Sequence, residues 1–224
     1  MLTHELAPRD REVIKLIGIL SQASSAHIKD MVFPDVNRIS MDRALKRLAR
    51  EEYVRRVGRR MPGPLGGNSP SVYRLGKKGW WHVGRDDPNP GVRAVNEHSL
   101  LLADVYVRLE LLERAGLIVI FERRLEYHVG DGRADMYLDI GIRARQWRGK
   151  YYLEAQRNAR SDAIKPKLDQ YGREFSSTRL DPWPLLVFMV WDTDHKRGIS
   201  RLVPKDSAEW VRVYMLDEFF ADEF

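Results

Sequence analysis

The sequence contains no cysteine, which excludes disulfides and thiolate zinc sites and fits a reducing compartment. Long apolar runs are missing as well. The longest spans residues 185–191, far too short to cross a bilayer. No signal-peptide core opens the chain, because Lys15 interrupts the only candidate run at 13–20. These absences read as a soluble, cytoplasmic chain without a membrane partner. G-x-S-x-G, Walker A and G-x-G-x-x-G patterns are also absent, so neither hydrolase nor nucleotide chemistry is indicated and no small-molecule substrate is inferred. Histidines at 4, 27, 82, 98, 128 and 195 show no ligand spacing and read as incidental. There is no internal repeat.

What is present suffices for folded domains. With 224 residues, 43% of them hydrophobic, the chain has room for one large or two small cores. The net charge of +6 is placed unevenly. Residues 1–90 hold 17 Lys and Arg against 10 Asp and Glu, a net of +7, whereas 91–224 hold 21 against 22, a net of −1. A basic first part beside a near-neutral second argues for a localised phosphate-binding surface.

Along the first part, apolar spacing predicts a helix over 8–20, with Val13, Leu16, Ile17 and Leu20 on one face. Ser24 or Ser25 caps a second, short helix through Met31, and Phe33-Pro34 ends it. Ser40 reads as the N-cap of a third helix over 41–52. At about 100° per residue, Arg43, Lys46, Arg47 and Arg50 fall on one side of it, while Ala44, Leu45 and Leu48 point the other way. Residues 53–60 then alternate as a strand carrying Arg55, Arg56, Arg59 and Arg60, a Gly/Pro-rich tip covers 61–70, and 71–75 returns as a second strand. A short helix at 76–83 carries Lys77 and two packing tryptophans, Trp80 and Trp81. Three helices and a basic hairpin make a winged helix-turn-helix, a unit that places its third helix in the major groove. The expected DNA-facing set is Ser40, Arg43, Lys46, Arg47, Arg50, Arg55, Arg56, Arg59, Arg60 and Lys77. A solvated helix and a plain surface hairpin account for the same charges without a ligand.

Residues 84–92 read as a linker, dividing a domain at 1–83 from one at 93–224. The second begins with a helix over 96–115, closed by Gly116. Strands follow at 117–121 (continuing toward 127), 134–142 and 151–156, then a helix within 161–176 whose first turn takes Pro166, making Lys165 its edge. An apolar strand covers 185–191, a weak strand 199–203 and a further segment 210–215. The Phe-rich acidic end at 217–224 either folds back onto its own domain or docks on a partner.

The order helix, three strands, helix, strand resembles the αβββαβ core of the restriction-endonuclease-like, PD-(D/E)xK nucleases. The predicted class is therefore α+β, a winged helix-turn-helix followed by a restriction-endonuclease-like α/β domain. That resemblance implies a divalent-metal pocket made by Asp135 and Glu154, with Gln156 standing where the family has lysine and Lys165 or Lys167 able to supply that charge from the next helix. Carboxylates side by side on adjacent strands suit Mg²⁺, and a lysine orients the attacking water. Arg123, Arg124, Arg133 or Arg157 could instead satisfy those carboxylates as ordinary ion pairs.

The whole chain is also similar to the replication-relaxation family. The similarity rests on Tyr73-Arg74-Leu75-Gly76-Lys77-Lys78-Gly79, on Asn96-Glu97-His98-Ser99-Leu100, on Arg133-Ala134-Asp135, and on Tyr152-Leu153-Glu154 followed by a Lys-bearing helix. It implies a double-stranded DNA-binding regulator of replication or transcription of a plasmid, phage or other mobile element. A homodimer is the second partner considered. In the favoured reading the second domain does not cut and no cofactor is needed. The alternative is an Mg²⁺-dependent endonuclease with Asp135, Glu154, Gln156 and Lys165 in the catalytic roles and the first domain as targeting device.

Overall fold

The computed structural model describes residues 5–61, 69–85, 94–157, 159–178 and 182–224. The glycine-rich tip at 62–68 and most of the linker, 86–92, lie outside the described residues. The chain is mixed α+β and divides into two compact units, Met1–Val107 and Arg108–Phe224.

In the first unit, α1 (Pro8–Leu20), β1 (Ala23–Ser24), α2 (Ser25–Val32) and α3 (Arg38–Arg50) precede a hairpin of β2 (Val54–Arg59) and β3 (Ser71–Leu75), then α4 (Lys77–His82). The sheet order is β1-β3-β2, antiparallel throughout, so the arginine-bearing strand is an edge. The core joins Val13, Ile14 and Ile17 of α1 to Ile28, Leu45, Leu48 and Val72, all fully buried. Helix α3 starts earlier than expected. Asn37, not Ser40, is the cap: its Oδ1 accepts the Ser40 N–H at 2.9 Å, the contact a first-turn donor needs. Gly76 and Gly79 are fixed by close packing. A Cβ on Gly76 would lie 2.2 Å from the Glu52 carbonyl oxygen, and one on Gly79 2.1 Å from that of Tyr53, so only glycine lets α4 lie against the start of β2. Residues 94–107 belong to this unit. Buried Gln22 donates to Ala94 O and accepts from Asn96 N, both at 2.9 Å.

Helix α5 (Glu97–Arg114) runs from the first unit into the second. Gly116, at φ +72°, takes the left-handed conformation that closes it. The second unit holds one five-stranded sheet ordered β4-β5-β6-β7-β8: β4 (Ile118–Val129), β5 (Gly132–Ile142) and β6 (Trp147–Gln156) are antiparallel, and β7 (Leu185–Val190) and β8 (Val211–Met215) add in parallel. Helix α6 (Ser161–Ser177) crosses between β6 and β7, α7 (Thr193–Ser200) between β7 and β8, and α8 (Leu216–Glu223) ends the chain.

Several expectations are corrected here. Residues 199–203 form no strand; Asp192 caps α7 by accepting the His195 N–H at 2.9 Å, and Ile199 is that helix's buried residue. Pro166 sits inside α6 instead of in its first turn. Its exposed ring removes a single backbone bond near the helix start, which the buried Ile164, Leu168 and Tyr171 stripe outweighs. The third strand begins at Trp147, four residues before the apolar run. The Phe-rich end folds back: Phe219 is fully buried, edge-on to Tyr151.

Candidate functional site

Two groups of residues named from the sequence can now be placed. The first is cationic. On α3, Arg43, Lys46 and Arg50 are exposed, and the buried residues of the same helix are Met41, Leu45 and Leu48. Arg43 and Lys46 form no ion pair among the described residues, and Arg50 reaches Glu51 only at 3.8 Å. On β2, Arg55, Arg56 and Arg59 are exposed, and a register shift between Arg56 and Gly58 puts Arg56 and Arg59 on the same face of the strand. Lys77 is exposed at the first position of α4, its ammonium 5.0 Å from the centre of the Trp81 ring. Trp81 is itself 52% exposed, so of the two expected anchors only Trp80 is half-buried, under the Arg85 guanidinium. Ser40 is exposed beside the helix start. Arg38 and Lys78, not singled out from the sequence, are exposed too.

Two arginines of the expected set are placed elsewhere. Arg47 donates to both oxygens of Asp10, at 2.6 and 2.7 Å, and the Asp10 side chain is only 6% exposed. Arg60 is drawn inward: it donates to both oxygens of Asp104, at 2.7 and 2.5 Å, and lies 3.6 Å from Glu97. Both arginines hold the first unit together, since a buried carboxylate keeps its charge only beside such a donor. Asp104 also meets His27 Nε2 at 2.7 Å. His27 Nδ1 accepts the Ser24 N–H, so Nε2 carries the proton and donates it to the carboxylate. Burial works to raise the Asp104 pKa, but the bonds from Arg60 and His27 outweigh it and hold it below its ordinary value. His27 is therefore structural, a role that its sequence neighbours do not signal.

The second group lies in the second unit. The register Met136↔Leu153 makes Asp135 and Glu154 cross-strand neighbours, on the sheet face where Tyr137 and Tyr152 meet at 5.7 Å between ring centres. Asp135 Oδ2 accepts the Ala155 N–H at 2.8 Å. Glu154 is 1% exposed, and both its oxygens are taken: Tyr171 OH donates to Oε1 at 2.8 Å and Lys167 Nζ to Oε2. Burial first, then the charge of Asp135, raises the Glu154 pKa; Lys167 and Tyr171 pull it back. Burial and the same carboxylate raise the Tyr171 phenol, which stays an O–H donor. Asp139, third on this parity, is claimed by Arg148 through two 2.6 Å bonds.

Of the lysines considered, α6 brings Lys167 to the carboxylate. Lys165 is exposed, and Gln156 ends β6 half-buried. Arg123, Arg124 and Arg133 pair with Glu110, Glu122 and Glu126. Hard oxygen donors of this kind attract Mg²⁺. Yet an ammonium already sits on Glu154, and no group of three His, Cys, Asp or Glu able to hold a metal occurs among the described residues. The donor set does not fit a divalent ion while Lys167 is in place.

Among the described residues, a mixed α+β chain with a basic, helix-rich first unit and a five-stranded second unit thus carries an exposed cationic face and a carboxylate pair with Lys167 on one member. The chain belongs to the replication-relaxation family, which matches residues 14–180. Membership points to a part in plasmid replication processes. No curated protein and no solved structure matches the chain. Among the described residues no helix is long and apolar enough to cross a membrane.

Proposed function

We propose that this protein binds double-stranded DNA through a winged helix-turn-helix formed by its first unit and so regulates replication or transcription of a plasmid, phage or other mobile element. The observation that carries the reading is the exposed row of Arg43, Lys46 and Arg50 on a helix whose opposite side is core, next to an edge strand with Arg55, Arg56 and Arg59 outward. Edge-strand arginines also discourage aggregation, but that purpose does not require a cationic helix beside them. In this reading α3 enters the major groove, its N-terminal residues nearest the bases, and the hairpin arginines hold phosphates. Ser40 and Lys77 flank that surface. Arg47 and Arg60 support it from within.

The second unit serves as a nuclease-like scaffold that does not cut. Lys167 occupies the charge position that a metal would need, and Glu154 is sealed from solvent.

Fluorescence anisotropy on labelled duplexes tests the proposal. Replacing Arg43, Lys46 and Arg50 together by Ala removes three contacts of about 1 kcal/mol or more each, so affinity falls at least about a hundredfold. Supercoiled plasmid incubated with the wild type and Mg²⁺ stays uncut. Unchanged affinity in the triple variant removes the DNA-binding face, and metal-dependent nicking removes the scaffold reading.

A further inference from the structure

Helix α3 presents one apolar side chain to solvent. Ile39, its second residue, is 66% exposed, whereas Met41, Leu45 and Leu48 are at most 2% exposed. Positions 39, 43, 46 and 50 are spaced so that their side chains form a single row along the helix. Ile39 therefore continues the line of Arg43, Lys46 and Arg50 at its N-terminal end, flanked by the exposed Arg38 and Ser40.

An isolated apolar group amid cations is a poor protein-docking surface, because such interfaces bury a contiguous apolar centre with charge kept to the rim. The surrounding charge selects a polyanion instead. Within the major groove of a duplex, the apolar feature is the 5-methyl group of thymine, and isolated aliphatic side chains read it by contact. We propose that Ile39 is a specificity-determining residue that packs on one thymine methyl of the target. The inference rests on the DNA-binding reading above and adds a base preference to it, which phosphate contacts alone do not provide.

The test uses the full chain and one chemical change in the DNA. The preferred duplex is selected from a random pool, and each thymine is then replaced singly by deoxyuridine, which lacks only the 5-methyl. At one position wild-type affinity falls about fourfold, the factor given by about 0.8 kcal/mol per methyl-sized group. Ile39→Ala binds the thymine and uracil duplexes equally, with an unchanged salt slope; Ile39→Val keeps part of the discrimination. Because Ile39 is exposed, both variants fold, and thermal melting verifies it. Salt-dependent binding with no thymine-to-uracil difference at any position overturns the inference and leaves the DNA-binding reading standing, as does discrimination that persists in Ile39→Ala. An absence of salt-dependent binding to any duplex overturns both.

Discussion

Arg43 and Arg47 are neighbours on one helix face, one turn apart and alike in charge, yet the structure gives them different work. Arg47 neutralises Asp10, and Arg43 forms no ion pair among the described residues. Arg47→Ala leaves a buried carboxylate with, among the described residues, the Ala7 N–H as its remaining partner and costs about 2 kcal/mol of stability, a fall of about 4–8 °C in melting temperature for a chain of this size. Arg43→Ala changes stability by less than about 0.5 kcal/mol while weakening DNA binding. Equal melting temperatures for the two variants contradict that division of labour. Lys167 offers a pH-resolved case. Glu154 has a folded pKa above its unfolded value, so ionising it opposes folding, and stability is lost as pH rises past the unfolded value of about 4.3. Lys167→Met removes the ammonium that offsets this. The substitution costs about 3 kcal/mol near pH 8 and clearly less at pH 5, where Glu154 takes a proton. Thermal melts at the two pH values decide, and an equal loss at both sinks the ion-pair account. The sequence shows all of these charges but not their partners: Asp10 is 37 residues from Arg47, and Asp104 lies 44 from Arg60.

At the level of elements, the hairpin and helix α3 contribute in different currencies. Replacing Arg55, Arg56 and Arg59 by Ala weakens all duplexes alike and flattens the plot of log affinity against log salt by about one unit per lost phosphate contact. A change confined to one target sequence contradicts the phosphate role. These elements were legible because their patterns are local. The apolar face of α1, the strand read from alternation over 53–60 (β2) and the apolar run of β7 each appear where the local pattern puts them. Misreadings came where a local signal met a tertiary one. The apolar residues around Ile199 suggest a strand, but Ile199 is the buried residue of α7, a helix whose N-terminus Asp192 caps. Pro166 marks a helix edge by itself, and the stripe it interrupts outweighs it. Residues 147–150 carry Trp147, Arg148 and Lys150, too mixed for a buried strand; pairing with 139–142 makes them one.

Across the whole molecule, the carboxylate pair was half legible. The sequence names Asp135 and Glu154 and the strands that carry them, and the cross-strand register makes them neighbours. It leaves open which helical lysine arrives, because Lys165 and Lys167 differ only in orientation on α6. The exposed cationic row was legible in sign and position, less the two arginines that pair with Asp10 and Asp104. Family membership over residues 14–180 spans both units. The most direct measurement is wild-type affinity for duplex DNA across salt concentrations. The six cations proposed to meet the duplex, Arg43, Lys46, Arg50, Arg55, Arg56 and Arg59, predict log affinity falling linearly with log salt at a slope near about −5. A slope near zero, or no binding at low salt, contradicts the account.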